Sequence, residues 1–226
     1  MRQLFIIILF ISSTLTSLAQ GEDSRALGNF NKISVGEAIH LILVPGNNNK
    51  ADISTSNIDV EDVLTSIVGN NLKLELKGNR HSNVKVSITL TYKSINSVTA
   101  SSASSVKTNG PIKADVLDVS VSSAGNANLD IVVDEVAIEV SSSGELSLSG
   151  IDKKQHVEVS SAGVYNGYDL NCEDSYARVS SAGSAKIVAT KNIDAKASSA
   201  GSVKYKGNPD KVYVNSNSGG HVGKTN

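Results

Sequence analysis

The chain has 226 residues with 21 Lys/Arg against 22 Asp/Glu and no basic cluster, so nucleic acid is not an expected partner: neutralising phosphates needs a concentrated basic face. Cys172 is the single cysteine, which excludes an intramolecular disulfide and leaves stability to packing. At this length the chain can build one large domain or two small ones.

Residues 1–19 read as a secretory leader, with Arg2, an apolar run from Leu4 to Ile11, and small residues Ser17 and Ala19 at −3 and −1 of a cleavage site before Gln20. No Cys follows that site, so a lipid anchor is not expected, and the apolar run is short for a membrane span. Export to the periplasm, the outer surface or the medium follows.

Residues 20–93 read as a β-rich region that caps or continues what comes after. Candidate strands are 32–35, 38–44, 50–55, 72–77 and 84–92, with a turn at Pro45-Gly46-Asn47-Asn48-Asn49. Asn57 to Val68 is expected to form a short helix capped by Asn57.

Residues 94–226 repeat. Ser-Ser-Ala-Gly starts at 122, 160, 180 and 198, with variants at 101, 141 and 217; the fourth residues fall at 104, 125, 144, 163, 183, 201 and 220. Before each tetrapeptide apolar residues alternate with polar ones, as in Leu117/Val119/Val121 and Val136/Ile138/Val140, and the alternation resumes after it. A period of two means strand with one face buried. Units of about 19 residues cannot bury that face alone, so they stack as parallel coils: an all-β solenoid.

The bend sets two expectations. Gly125, Gly144, Gly163, Gly183, Gly201 and Gly220 are expected at the turn with positive φ. Unbroken alternation would point Ser102, Ser123, Ser142, Ser161, Ser181, Ser199 and Ser218 inward, as a buried hydroxyl ladder. The polar tail 223–226 is expected to oppose end-to-end association.

The leader ending Ala-Gln, the strand Phe30-x-x-Ile33-x-Val35, the strand Leu72-x-Leu74-x-Leu76, the strand 84–92 and the recurring Ser-Ser-Ala-Gly turns together resemble the autotransporter adhesin head GIN domain family of Bacteroidetes. The resemblance covers the mature chain. It implies a right-handed parallel β-helix, no catalytic residues and a role in cell adhesion.

Catalytic chemistry does not emerge from the residues. His40, His81, His156 and His221 lack ligand spacing for a metal, and no Gly-x-Ser-x-Gly elbow is present. The acidic residues 115, 118, 130, 134 and 135 lack the glycine-punctuated loops of calcium-binding repeats. Cys172, beside Glu173 and Asp174, reads as structural. Glu139, Glu158, Arg178 and Lys196 fall on consecutive coils, with Glu158 and Arg178 expected to pair. Asn126, Asn128, Asn166, Tyr176 and Tyr213 are the candidate ligand face, Tyr offering a flat apolar surface with a polar tip.

The expected function is therefore a non-enzymatic, adhesin-like module needing no cofactor, its partner a glycan or an envelope or matrix protein. The alternatives are a divergent polysaccharide lyase or hydrolase on the same scaffold, and an architectural envelope component.

Overall fold

The computed structural model describes residues 20–78 and 83–225; the expected leader and His81 lie outside them. In chain order the strands are β1 (Gln20–Ala26), β2 (Lys32–Val35), β3 (His40–Pro45), β4 (Lys50–Ser56), β5 (Val63–Val68), β6 (Asn71–Leu76) and β7 (Lys85–Tyr92). They continue as β8 (Ser97–Ala100), β9 (Ser105–Thr108), β10 (Ile112–Val121), β11 (Asn126–Val140), β12 (Glu145–Val159) and β13 (Val164–Val179). The chain closes with β14 (Ser184–Val188), β15 (Asn192–Ala197), β16 (Ser202–Lys206), β17 (Lys211–Ser216) and β18 (His221–Lys224).

Each coil lays one strand on each of two faces that meet at the Ser-Ser-Ala-Gly bend. Before the bend the parallel stack runs β6, β2, β8, β10, β11, β12, β13, β15, β17. After the bend it runs β7, β3, β9, β11, β12, β13, β14, β16, β18. The long strands β11 to β13 turn a second corner and supply a third face, where Ile112 and Ile131 pair in register. Inward residues form columns one above another, such as Val121, Val140, Val159, Val179 and Ala197, all buried. The recurring strands are parallel, as stacking of short apolar units requires.

The order of the first coils differs from chain order. β2 and β3 sit between β6–β7 and β8–β9, so a later segment lies beneath an earlier one. That lowest coil is covered by antiparallel strands: β4 pairs with β7, β1 with β4, and β5 with β6. The helix expected over Asn57–Val68 is absent. Val60–Asp62 is a single 3-10 turn and Val63–Val68 is β5. Its β-branched residues and the neighbouring edge of β6 outweigh a cap signal with weak periodicity.

The bend also departs from expectation. Positive φ falls on the second and third residues of the tetrapeptide, for instance Ser161 at 49° and Ala162 at 61°, not on Gly163. The first carbonyl accepts from the fourth N–H, Gly163 N to Ser160 O at 2.8 Å, the pattern of a type I′ turn. Two consecutive left-handed residues interrupt the alternation. The next inward residue after Val159 is therefore Gly163, and Ser161 and Ala162 face water.

The same holds for Ser102, Ser123, Ser142, Ser181, Ser199 and Ser218, so the serines do not form a buried ladder; all are exposed. The ladder is made by the backbone instead. Ala162 N–H donates to Ser181 O at 3.0 Å and Ala182 N–H to Ser199 O at 3.0 Å, and the pattern extends from Ala38–Ser102 to Ala200–Ser218. The glycines serve close approach: a Cβ on Gly163 would stand 2.7 Å from the carbonyl oxygen of Val140 on the coil below. Gly36-Glu37-Ala38-Ile39 makes the same bend in β2–β3, with Glu37 and Ala38 at positive φ.

Candidate functional site

Outward side chains on the pre-bend face are brought into line by strand register. Ser120, Glu139, Glu158, Arg178, Lys196 and Asn215 are successive register partners, spaced by the interstrand distance of about 4.8 Å. Beside them toward the bend stand Ser160, Ser180, Ser198 and Asn217. Between the two rows runs a groove of about 520 Å³, lined by both. It is acidic at Glu139 and Glu158 and basic at Arg178 and Lys196. A second hollow of about 340 Å³ continues along the same face past Asp118, Glu139 and His156.

The expected Glu158–Arg178 pair is not formed. Arg178 instead binds Asp194 on the following strand with two nitrogens, Nη1 to Oδ1 at 3.1 Å and Nη2 to Oδ2 at 3.3 Å. The guanidinium fork reaches diagonally to the carboxylate two residues before its register partner Lys196, where planar bidentate contact is available. Glu158 is left facing the groove. In the adjacent outward column His156 stacks on Tyr176 with ring centroids 4.9 Å apart and planes 16° from parallel. His156 Nε2 also lies 3.3 Å from Glu135 Oε1.

The five candidate ligand-face residues do not share a surface. Tyr176 and Tyr213 stand on the pre-bend face, Tyr213 being 66% exposed on the last coil. Asn126, Asn128 and Asn166 lie on the post-bend face, across the ridge of bends, where Asn126 reaches Glu145 at 3.4 Å. Assigning all of them to one face overlooked the corner between the two stacks.

Sequence reading missed a polar cluster inside the coils. Gln155 and Ser175 occupy the inward column that holds Val136 below and Ile193 above. Tyr165 Oη donates to Gln155 Oε1 at 2.9 Å, Gln155 Nε2 donates to Ser175 Oγ at 2.9 Å, and Ser175 Oγ donates to Val188 O at 2.6 Å. The signal was present: a polar residue at an inward parity position needs a buried partner. Next to it Cys172 is fully buried, and its thiol donates to Asp152 Oδ2 at 3.3 Å. Burial pushes the Asp152 carboxyl up to about 6, helped by nearby Glu135 and Asp134. Burial and Asp152 push the Cys172 thiol up to about 12, so its sequence neighbours are not the main cause. This interior cluster lies behind the strands and does not open into the groove. Among the described residues no group of three or more His, Cys, Asp or Glu is placed to hold a metal ion.

The family model described as "Putative auto-transporter adhesin, head GIN domain" matches residues 29–209. The chain belongs to this family. Among curated proteins none matches. The head GIN fold recurs in the crystal structure of a "putative adhesin" from Bacteroides fragilis NCTC 9343, with 20% identity, TM-score 0.78, and 92% of this chain and 98% of that one covered. A "putative adhesin" from Parabacteroides merdae ATCC 43184 is as similar, with 19% identity, TM-score 0.78 and coverage of 92% and 96%. A "putative lipid binding protein" from Parabacteroides distasonis ATCC 8503 follows at 17% identity, TM-score 0.72 and coverage of 92% and 97%. At these identities the likeness is one of fold. No helix among the described residues is long and apolar enough to cross a membrane.

Proposed function

We propose that this head GIN chain is an exported, non-enzymatic adhesin-like module that grips a glycan strand or an envelope component along the pre-bend groove. The observation that supports this reading is the register of Glu139, Glu158, Arg178 and Lys196 beside the serine row. A regular ladder of donors and acceptors suits an extended, repeating ligand. The stacked His156 and Tyr176 add an apolar platform of the kind a sugar ring covers.

Four charged groups in one groove also bear on the polysaccharide-cleaving alternative. All four are open to water, and Arg178 is already engaged by Asp194. A proton-transfer pair is ordinarily held in a less hydrated setting that tunes it. The geometry therefore favours holding over cleaving.

The test is binding of the purified chain to a glycan array and to cell surfaces, repeated with Arg178→Ala/Lys196→Ala. Binding that the double variant loses, at unchanged melting temperature, supports the groove. No binding by the parent chain to any glycan or surface would overturn the reading, as would release of unsaturated or reducing-end products from an acidic polysaccharide.

A further inference from the structure

The two ends of the solenoid are different, and they match. At the far end the last coil exposes residues that are core elsewhere. Val212 and Val214 occupy the inward columns of Ile193 and Ala195, yet are 47% and 48% exposed. Among the described residues β17 pairs only with β15 and β18 only with β16, so both carry an open backbone edge. Gly223 and Lys224 of the tail expected to oppose association belong to this edge, since His221–Lys224 is β18.

At the near end, among the described residues, β1 pairs only with β4 and β5 only with β6, so each has one paired edge and one open edge. There Leu64 and Val68 are exposed, Val68 at 61%. β5 tops the same stack that β17 ends, and β1 tops the stack that β18 ends. Both β5 and β17 have six residues. One copy placed on another along the solenoid axis thus sets β17 against β5 in antiparallel sense and β18 against β1 in parallel sense. Both are ordinary sheet pairings.

Charge selects this arrangement. The near end carries Glu22, Asp23, Asp59, Glu61 and Asp62 against Arg25. The far end carries Lys204, Lys206, Lys211 and Lys224 against Asp210. Residues 20–163 as a whole hold 12 basic and 17 acidic groups, and residues 164–226 hold 8 and 5. A two-fold pairing of like ends would set lysines on lysines, or carboxylates on carboxylates; head-to-tail stacking sets one against the other.

We infer that a second copy of this chain docks head to tail on the open far end, and that the contact, being heterologous, repeats into a filament. This goes beyond the groove assignment. It would carry the groove from copy to copy and raise avidity for a long ligand without any new contact.

Analytical ultracentrifugation of the mature chain tests it. Association should grow with protein concentration and weaken as salt screens the ends. Two charge-reversed variants sharpen the experiment: Glu22→Lys/Asp59→Lys/Glu61→Lys makes both ends basic, and Lys204→Glu/Lys211→Glu makes both acidic. Each alone should sediment as a monomer, while an equimolar mixture should recover alternating assemblies. A parent chain that stays monomeric at high concentration and low salt would overturn the inference, as would a reversed variant that associates as well as the parent. Glycan binding by the monomeric variants separates the fate of this interface from that of the groove.

Discussion

The thiol of Cys172 donates to the carboxyl of Asp152 across 3.3 Å inside the solenoid, one coil above it, and both side chains are shielded from water. Asp152 holds its proton up to about pH 6 because burial disfavours the anion, against an ordinary value of 3.8. In the unfolded chain the proton leaves near the ordinary value. The folded form therefore binds the extra proton between these limits, and stability falls as pH rises through that window, then levels off. The loss amounts to about 3 kcal/mol from two pKa units at roughly 1.4 kcal/mol each. Asp152→Asn has no carboxyl to ionise. Its melting temperature should gain on that of the parent chain between about pH 4 and 6.5, and a constant gap across the range would contradict a buried acid.

Cys172 should be inert in the native state. The reactive species is the thiolate, and burial together with Asp152 holds the thiol at about 12. Iodoacetamide at neutral pH should label it only at the rate of unfolding, and at full speed in denaturant. Rapid labelling of the folded chain would show that the interior opens.

Two buried tyrosines should respond oppositely to loss of the hydroxyl. Tyr165 Oη is bound to Gln155 Oε1, so Tyr165→Phe strands an acceptor in the core and should cost about 1–3 kcal/mol. Tyr92 Oη is buried with no partner among the described residues, and Tyr92→Phe should be neutral or stabilising. Urea denaturation of the two variants measures both. A large destabilisation by Tyr92→Phe would mean that its hydroxyl has a partner in solution, such as an ordered water.

The contrast between these sites shows what the residue pattern conveys. Alternation of Val119, Val121 and their equivalents was enough to predict parallel coils, because a period of two with a repeat of about 19 leaves few other ways to bury one face. It could not show that β2–β3 enter the stack above β6–β7, since no local signal ranks one coil above another. It also misplaced Ser161 and Ser181. A pair of left-handed residues skips one inward position while the parity on either side stays the same, and Ser-Ala is not a composition that announces such a turn. The groove residues 139, 158, 178 and 196 were legible because register follows the repeat. The Arg178–Asp194 pair was not, because it depends on diagonal side-chain reach between adjacent strands.

Gly163→Ala should be among the costly bend changes, although the position has an ordinary φ. The added methyl would stand 2.7 Å from Val140 O and 2.9 Å from its carbon, both backbone atoms fixed in the ladder. Relief requires separating adjacent coils, so a loss of roughly 2 kcal/mol or more is expected, at the upper end of ordinary substitutions. An unchanged melting temperature would mean that the coils are not in close contact at the corner.

Ala162→Gly, one residue away, should act in the other direction. Ala162 has φ of 61°, a region that costs a residue with a side chain about 1–2 kcal/mol. Glycine removes that strain and adds back roughly 0.4–1 kcal/mol of unfolded-chain entropy. Ala162 is exposed, so no packing is lost, and its N–H keeps its bond to Ser181 O at 3.0 Å. The net change should be zero to about 1.6 kcal/mol of stabilisation, and the same substitution at Ala182 or Ala200 should add to it. A melting temperature that falls with each such glycine would show that the bend is held by something other than the left-handed pair, and would remove the basis for placing the serines outside.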